Sequence, residues 1–165
     1  MAPEGWQRFF VGRRPSRTLA RAAVIVAVSV VTFGWVLRPI RAHGPSMLPT
    51  YRDGGLYFVN RMAYLVREPR RGDVVAIRLA GPRVLFVKRI LGLPGERVRI
   101  EDGIVHIDEK PIDEPYVLHR ARWEMREKRL GNREYFVAGD NRGMRIEQHE
   151  LGAVDRDRIV GRMLW

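Results

Sequence analysis

The chain has 165 residues, with 30 Lys or Arg against 19 Asp or Glu and a formal net charge of +11. It has no cysteine, which excludes a disulfide scaffold, a thiolate metal site and a cysteine nucleophile. Residues 1–41 carry seven Arg and one Glu, so about half of the excess charge flanks an apolar run, where membrane topology accounts for it without a nucleic-acid partner.

Residues 1–17 read as a basic tail, with Trp6, Phe9 and Phe10 set among Arg8, Arg13, Arg14 and Arg17. From Ala22 to Leu37 the chain carries no charge. With Leu19, Ala20 and a snorkelling Arg21 the run approaches the ~20 residues that span a bilayer. The basic flank and Trp35 near its end fit membrane topology better than a buried core helix. No small-x-small cleavage site follows Leu37, so residues 18–38 read as an uncleaved transmembrane signal anchor. Five Arg precede Ala22 and two follow Leu37, which places the N-terminus in the cytoplasm and residues 39–165 on the outer face of the cytoplasmic membrane.

Beyond Pro39 short β-like runs alternate with turn residues. Asp53-Gly54-Gly55 turns into a strand over 56–59, and Arg71-Gly72-Asp73 leads into Val74-Val75-Ala76-Ile77. Gly81-Pro82 precedes a long apolar run over 84–91, and Leu93-Pro94-Gly95 turns into an alternating strand over 97–100. Glu101-Asp102-Gly103 suits a hairpin turn into a strand over 104–107. Residues 118–134 are dense in charge and read as an exposed, partly helical excursion, followed by strands over 135–138 and 159–163. The expected fold is therefore mainly β: one N-terminal transmembrane helix, then one mostly antiparallel β domain over 39–165.

Ser46 is the only serine after residue 29. A serine hydroxyl attacks a carbonyl only when a base takes its proton. His43, His106, His119 and His149 are candidate bases, but no acidic residue except Asp53 lies within nine residues of Ser46 to orient His43, and His106, His119 and His149 sit among polar or charged neighbours and read as surface histidines. A triad assembled from distant residues stays open. The other candidate is lysine, which serves as a base only when burial disfavours its ammonium form. All but three of the 30 basic residues are Arg, and the three are Lys88, Lys110 and Lys128. Lys110 follows Asp108 and Glu109, and Lys128 lies in Arg126-Glu127-Lys128-Arg129. Lys88 alone has apolar neighbours on both sides, either as a buried base or as an outward-facing residue on a half-buried strand.

Four segments in order resemble the bacterial type I signal peptidases, which are membrane-anchored serine proteases. Gly44-Pro45-Ser46-Met47-Leu48-Pro49-Thr50 resembles the family's nucleophile box, and Arg71-Gly72-Asp73-Val74-Val75 the strand after it. Val87-Lys88-Arg89-Ile90-Leu91-Gly92-Leu93-Pro94-Gly95-Glu96 resembles the lysine box. Phe136-Val137-Ala138-Gly139-Asp140-Asn141-Arg142 resembles the glycine-aspartate-asparagine-arginine box. The resemblance implies a Ser-Lys dyad with Ser46 as nucleophile, Lys88 as general base and the Ser46 N–H in the oxyanion hole. It implies that Gly139, Asp140, Asn141 and Arg142 support the site, with Asp140 paired to Arg142. Gly44 stands where some relatives place a hydroxyl donor. It implies a fold of the signal peptidase type and no metal or cofactor.

The expected substrates are signal peptides of exported preproteins with small residues before the cut. Met47, Leu48, Phe86 and Val87 would line the shallow pockets, and the extended peptide would add to an exposed strand edge. The bilayer is the other expected partner, since a basic domain suits anionic headgroups. Many relatives carry a serine after the fourth box that hydrogen-bonds the catalytic lysine. Here Arg145 stands there, and an Arg close to Lys88 would disfavour its charged form further. Three other readings share these features: a peptidase dedicated to one substrate such as a conjugative pilin, a self-cleaving repressor, and an inactive membrane-anchored binding module.

Overall fold

The computed structural model describes residues 15–78 and 85–164. Most of the basic tail read over 1–17 lies outside the described residues, as do the Gly81-Pro82 turn and Val84. The chain divides after Leu37 into two compact units.

The first unit holds helix α1 (Pro15–Val31), which continues as a π-helical turn over Thr32–Val36. Ser16–Val36 is a 21-residue stretch long and apolar enough to cross a bilayer. Val24, Ile25 and Val30 are exposed along with Trp35, so the helix has no single apolar stripe set against a polar face.

Among the described residues the second unit is built of eleven strands, the first of which starts at Leu37 at the division. They are β1 (Leu37–Arg41), β2 (Leu56–Asn60), β3 (Val74–Ile77), β4 (Phe86–Gly92), β5 (Arg97–Glu101), β6 (Ile104–Ile107), β7 (Lys110–Pro111), β8 (Met125–Arg129), β9 (Glu134–Ala138), β10 (Gly152–Asp155) and β11 (Ile159–Leu164). Seven form one sheet in the order β1-β2-β11-β3-β4-β9-β10, and four form a second in the order β7-β6-β5-β8. The pairs from β2 onward are antiparallel, as the sequence pattern implied.

The central strands explain why they read as continuous apolar runs rather than alternating ones. In β9, Phe136 and Ala138 pack into a cluster with Trp123, Leu91 and, from the second sheet, Val98. Tyr135 and Val137 turn the other way, into a cluster with Val75, Ile77 and Ile90. In β3, Val75 and Ile77 join that cluster while Val74 and Ala76 pack with Met47, Tyr51 and Met163. A two-residue period buried on both faces needs an apolar residue at every position.

The charged stretch over 118–134 is not helical. Its strand β8 pairs with β5, which places Arg97 opposite Arg129 and Val98 opposite Lys128. The stretch is exposed only in part, because Trp123 and Leu130 are buried in the core beside Phe136. Beyond Met125, which packs on the core, this edge strand has exposed side chains and needs only backbone pairing, so its composition carries no strand pattern.

Candidate active site

Ser46 sits in a single 3₁₀ turn, Pro45–Met47, entered through Gly44. Gly44 has φ +91°, a conformation that L side chains rarely adopt, and its N–H donates to Asp53 Oδ1 at 2.9 Å. Met47 anchors the turn by burying its side chain beside Tyr51 and Val74. The Ser46 carbonyl accepts from the Asn141 N–H at 3.0 Å, and Asn141 Nδ2 donates to the Pro45 carbonyl at 3.1 Å. The turn is therefore pinned to the segment that follows β9.

Lys88 approaches from β4, where it lies opposite Val75 of β3. Its Nζ donates to Ser46 Oγ at 3.1 Å and lies 3.5 Å from Glu150 Oε2. Lys88 is fully buried while Glu150 is half exposed. Burial pushes the Lys88 ammonium below the usual lysine value, and the Glu150 carboxylate pulls in the opposite direction. Sequence alone left two orientations open for Lys88, and the buried one is observed.

The fourth motif forms the floor beneath this pair. Gly139 is confined by its neighbours: a Cβ there would overlap the Ser46 carbonyl oxygen and lie 2.5 Å from His149 Cε1. Asp140 is held by Arg89 in a two-pronged pair, Nε to Oδ1 at 2.8 Å and Nη2 to Oδ2 at 2.6 Å. It also accepts from Thr50 Oγ1 at 2.5 Å, which ties the nucleophile segment to the same carboxylate. The expected Asp140–Arg142 pair does not form. Arg142 donates through Nε to the Gly139 carbonyl at 2.8 Å and pairs with Glu114 through both Nη atoms. The reason is register: Arg89 lies opposite Ala138, which brings its guanidinium to Asp140 from the adjacent strand.

Glu114 and Arg142 are both buried, so removing one leaves a bare charge inside the domain. Arg120 at 3.1 Å and the Tyr116 hydroxyl at 2.9 Å complete the Glu114 carboxylate's partners. Glu114→Ala is expected to cost about 3–5 kcal/mol of stability, measured as a lowered denaturant midpoint. Nothing around Glu114 in the sequence marks it, since its partner Arg142 stands 28 residues away.

His149 is not a surface histidine. It is buried against Trp123, edge-on at 4.7 Å, and neither ring nitrogen makes a hydrogen bond. Burial, then Lys88 and Arg142, push its pKa down to about 4, with the Asn141 main chain opposing weakly. The folded state therefore resists a proton that the unfolded chain accepts. Stability is complete above the unfolded value near 6.5 and falls as pH drops toward 4. Wild type is expected to lose up to about 3 kcal/mol more than His149→Phe between pH 7.5 and 4, read by thermal unfolding of both proteins.

Arg145 does not approach Lys88. It is exposed and pairs with Glu147 at 3.3 Å, because the 3₁₀ turn Ile146–Gln148 swings it outward and brings Glu150 back to the lysine. A cavity of about 650 Å³ opens over the serine, lined by residues that include Arg38–Met47, Leu85–Val87, Gln148 and Glu150. Gly44, Ser46, Met47, Phe86 and Val87 thus share one cavity; Leu48 lies outside its lining. Among the described residues no cluster of three His, Asp or Glu side chains can hold a metal ion.

The family described as signal peptidase, peptidase S26, matches residues 16–165. A probable signal peptidase I-2 of Synechocystis sp. is 33% identical, aligned over 85% of this chain and 66% of its own length. The signal peptidase I T of Bacillus subtilis is 32% identical, over 84% of this chain and 79% of its own. A crystal structure of a signal peptidase I from Enterococcus faecalis is 23% identical, covers 60% of this chain and 99% of its own, and has a TM-score of 0.47. By the match of the family over nearly its whole length, the chain belongs to the signal peptidase family, peptidase S26.

Proposed function

We propose that this protein is a membrane-anchored serine endopeptidase that removes signal peptides from exported preproteins, with Ser46 as nucleophile and Lys88 as general base. The observation that carries the reading is the 3.1 Å contact between Ser46 Oγ and a fully buried Lys88 Nζ. A neutral amine there takes the hydroxyl proton as Oγ attacks the scissile carbonyl. The resulting ammonium returns the proton to the departing amine, and an acyl-enzyme remains on Ser46. Lys88 then activates the water that releases the acyl group.

Among the described residues none accepts from the Ser46 N–H, so it is free to donate to the oxyanion. The Gly44 N–H is spent on Asp53, so it does not supply a second donor. β9 pairs with β4 at Arg89, Ile90 and Gly92 only, which leaves the Phe86–Lys88 end open on that side beside Ser46. An extended peptide added there lays its carbonyl across the serine, with its side chains against Met47, Phe86 and Val87. The Ser16–Val36 helix is the anchor, with the Arg-rich N-terminal side in the cytoplasm and the catalytic domain over 39–165 at the outer face. The basic surface suits anionic headgroups.

The test uses the full chain in detergent with a preprotein whose signal peptide ends in Ala-x-Ala. Cleavage after the second Ala, located by mass spectrometry of the product, is the expected result. An intact preprotein under conditions where the enzyme remains folded would overturn the reading as a general signal peptidase.

A further inference from the structure

The lysine of this site has a second partner that the dyad reading does not use. Lys88 Nζ bonds Ser46 Oγ on one side and meets Glu150 Oε2 at 3.5 Å on the other. The two partners differ in exposure: the lysine side chain is 1% accessible and the glutamate 55%. Glu150 therefore reaches the buried amine from the open side, and it lines the same cavity as Ser46, Phe86 and Val87. A peptide laid along Phe86–Val87 would therefore share its cavity with the carboxylate that reaches the lysine.

Resting on the dyad reading above, we propose that Glu150 is a positioning residue for Lys88, paired with it in the substrate-free enzyme and displaced from it by a bound peptide. In the resting state the carboxylate favours the ammonium form and aims Nζ at Ser46. Loss of that partner on substrate binding leaves the amine in an apolar, water-poor setting that favours the neutral base. The enzyme would thus hold a protonated lysine while idle and release the proton when the cleft fills.

The other groups around Lys88 do not supply this function. Val75 faces it from β3 and carries no charge. His149, next to Glu150, is buried with its pKa lowered to about 4, so it is neutral at working pH. From the β9 side, Asp140 is taken up by Arg89 and Arg142 by Glu114. Arg145, where many relatives carry the lysine-supporting serine, is turned to solvent with Glu147.

The test compares pH–rate profiles of wild type, Glu150→Gln and the surface control Glu147→Gln on one cleavable preprotein. The acid limb of kcat/KM reports the free enzyme, and that of kcat reports the substrate complex. For Glu150→Gln the kcat/KM limb is expected to move to lower pH, raising kcat/KM about threefold to tenfold below the wild-type limb. Its kcat limb should coincide with that of wild type, and both limbs of Glu147→Gln should stay in place. An unmoved kcat/KM limb in Glu150→Gln would overturn the pairing. A kcat limb that moves with it would overturn the displacement, because the carboxylate would then remain on the lysine in the complex. Activity that survives Lys88→Met in the same assay would instead refute the dyad reading, a result distinct from either.

Discussion

Ser46→Ala and Lys88→Met are each expected to lower kcat by at least about 10³-fold, and the double variant to be scarcely worse than either. Nucleophile and base act as one unit, so removing either abolishes the same step. The two variants should part company in stability. At neutral pH the domain holds an amine that burial pushes away from its charged form, while the unfolded chain protonates it freely. A lysine lowered in this way costs stability at and below neutral pH, and the cost disappears as pH rises above the unfolded value of 10.5. Lys88→Met keeps the length and removes the charge. It is expected to gain about 1–2 kcal/mol at pH 7, a gain that shrinks toward pH 10.5 and above. Glu150, left without the lysine, is half exposed and solvates readily. Ser46→Ala should leave stability within about 0.5 kcal/mol of wild type. Thermal unfolding at pH 7 and 10, alongside cleavage rates, checks both parts. A Lys88→Met protein that is inactive and also less stable would mean that the contact with Glu150 outweighs the burial cost of the ammonium.

How far the sequence carried the reading follows from which signals were local. The contact between Ser46 and Lys88 was legible because each residue was nearly unique: one serine beyond the anchor, and one lysine with apolar neighbours in a chain that mostly uses Arg. The strands over 74–77 and 135–138 were legible because burial on both faces leaves an uninterrupted apolar run. Strand β8 was not, since beyond Met125, which packs on the core, Arg-Glu-Lys-Arg is held by backbone pairing and shows its side chains to water. The polar network under the site was misread for a different reason. Asp140 and Arg142 are two residues apart, and proximity in sequence suggested a pair. Pairing across strands and loops sends one to Arg89, 51 residues away, and the other to Glu114, 28 residues away. His149 was hidden by its charged neighbours Glu147 and Glu150, although its ring is packed on Trp123. Glu150 gave no signal, because a glutamate in a charged segment has no local mark of the lysine it meets 62 positions upstream.

Gly139→Ala is the other substitution expected to have a large effect, through shape rather than charge. The added methyl would overlap the Ser46 carbonyl oxygen and press on the His149 ring, with Cε1 at 2.5 Å and Nε2 at 2.8 Å. The ring is buried between Trp123 and the floor of the site, and the carbonyl is main chain held by the Asn141 N–H at 3.0 Å. Neither can yield without cost, and overpacking of this kind costs about 1–3 kcal/mol. The functional loss should be larger than that stability loss implies. Relief of the overlap moves the Pro45–Met47 turn by about 1 Å, and a displacement of that size at a reacting atom costs on the order of 10²-fold in rate. The fall should appear in kcat, since the atoms nearest the new methyl belong to Ser46 and His149 and not to Phe86 or Val87 of the cavity wall. The double variant Gly139→Ala with His149→Ala separates the two contacts. It should recover part of the stability by freeing the ring side, yet stay about 10²-fold slow, because the overlap with the Ser46 carbonyl remains. Recovery of cleavage in the double variant would place the constraint at His149 and leave the serine turn free of the motif beneath it.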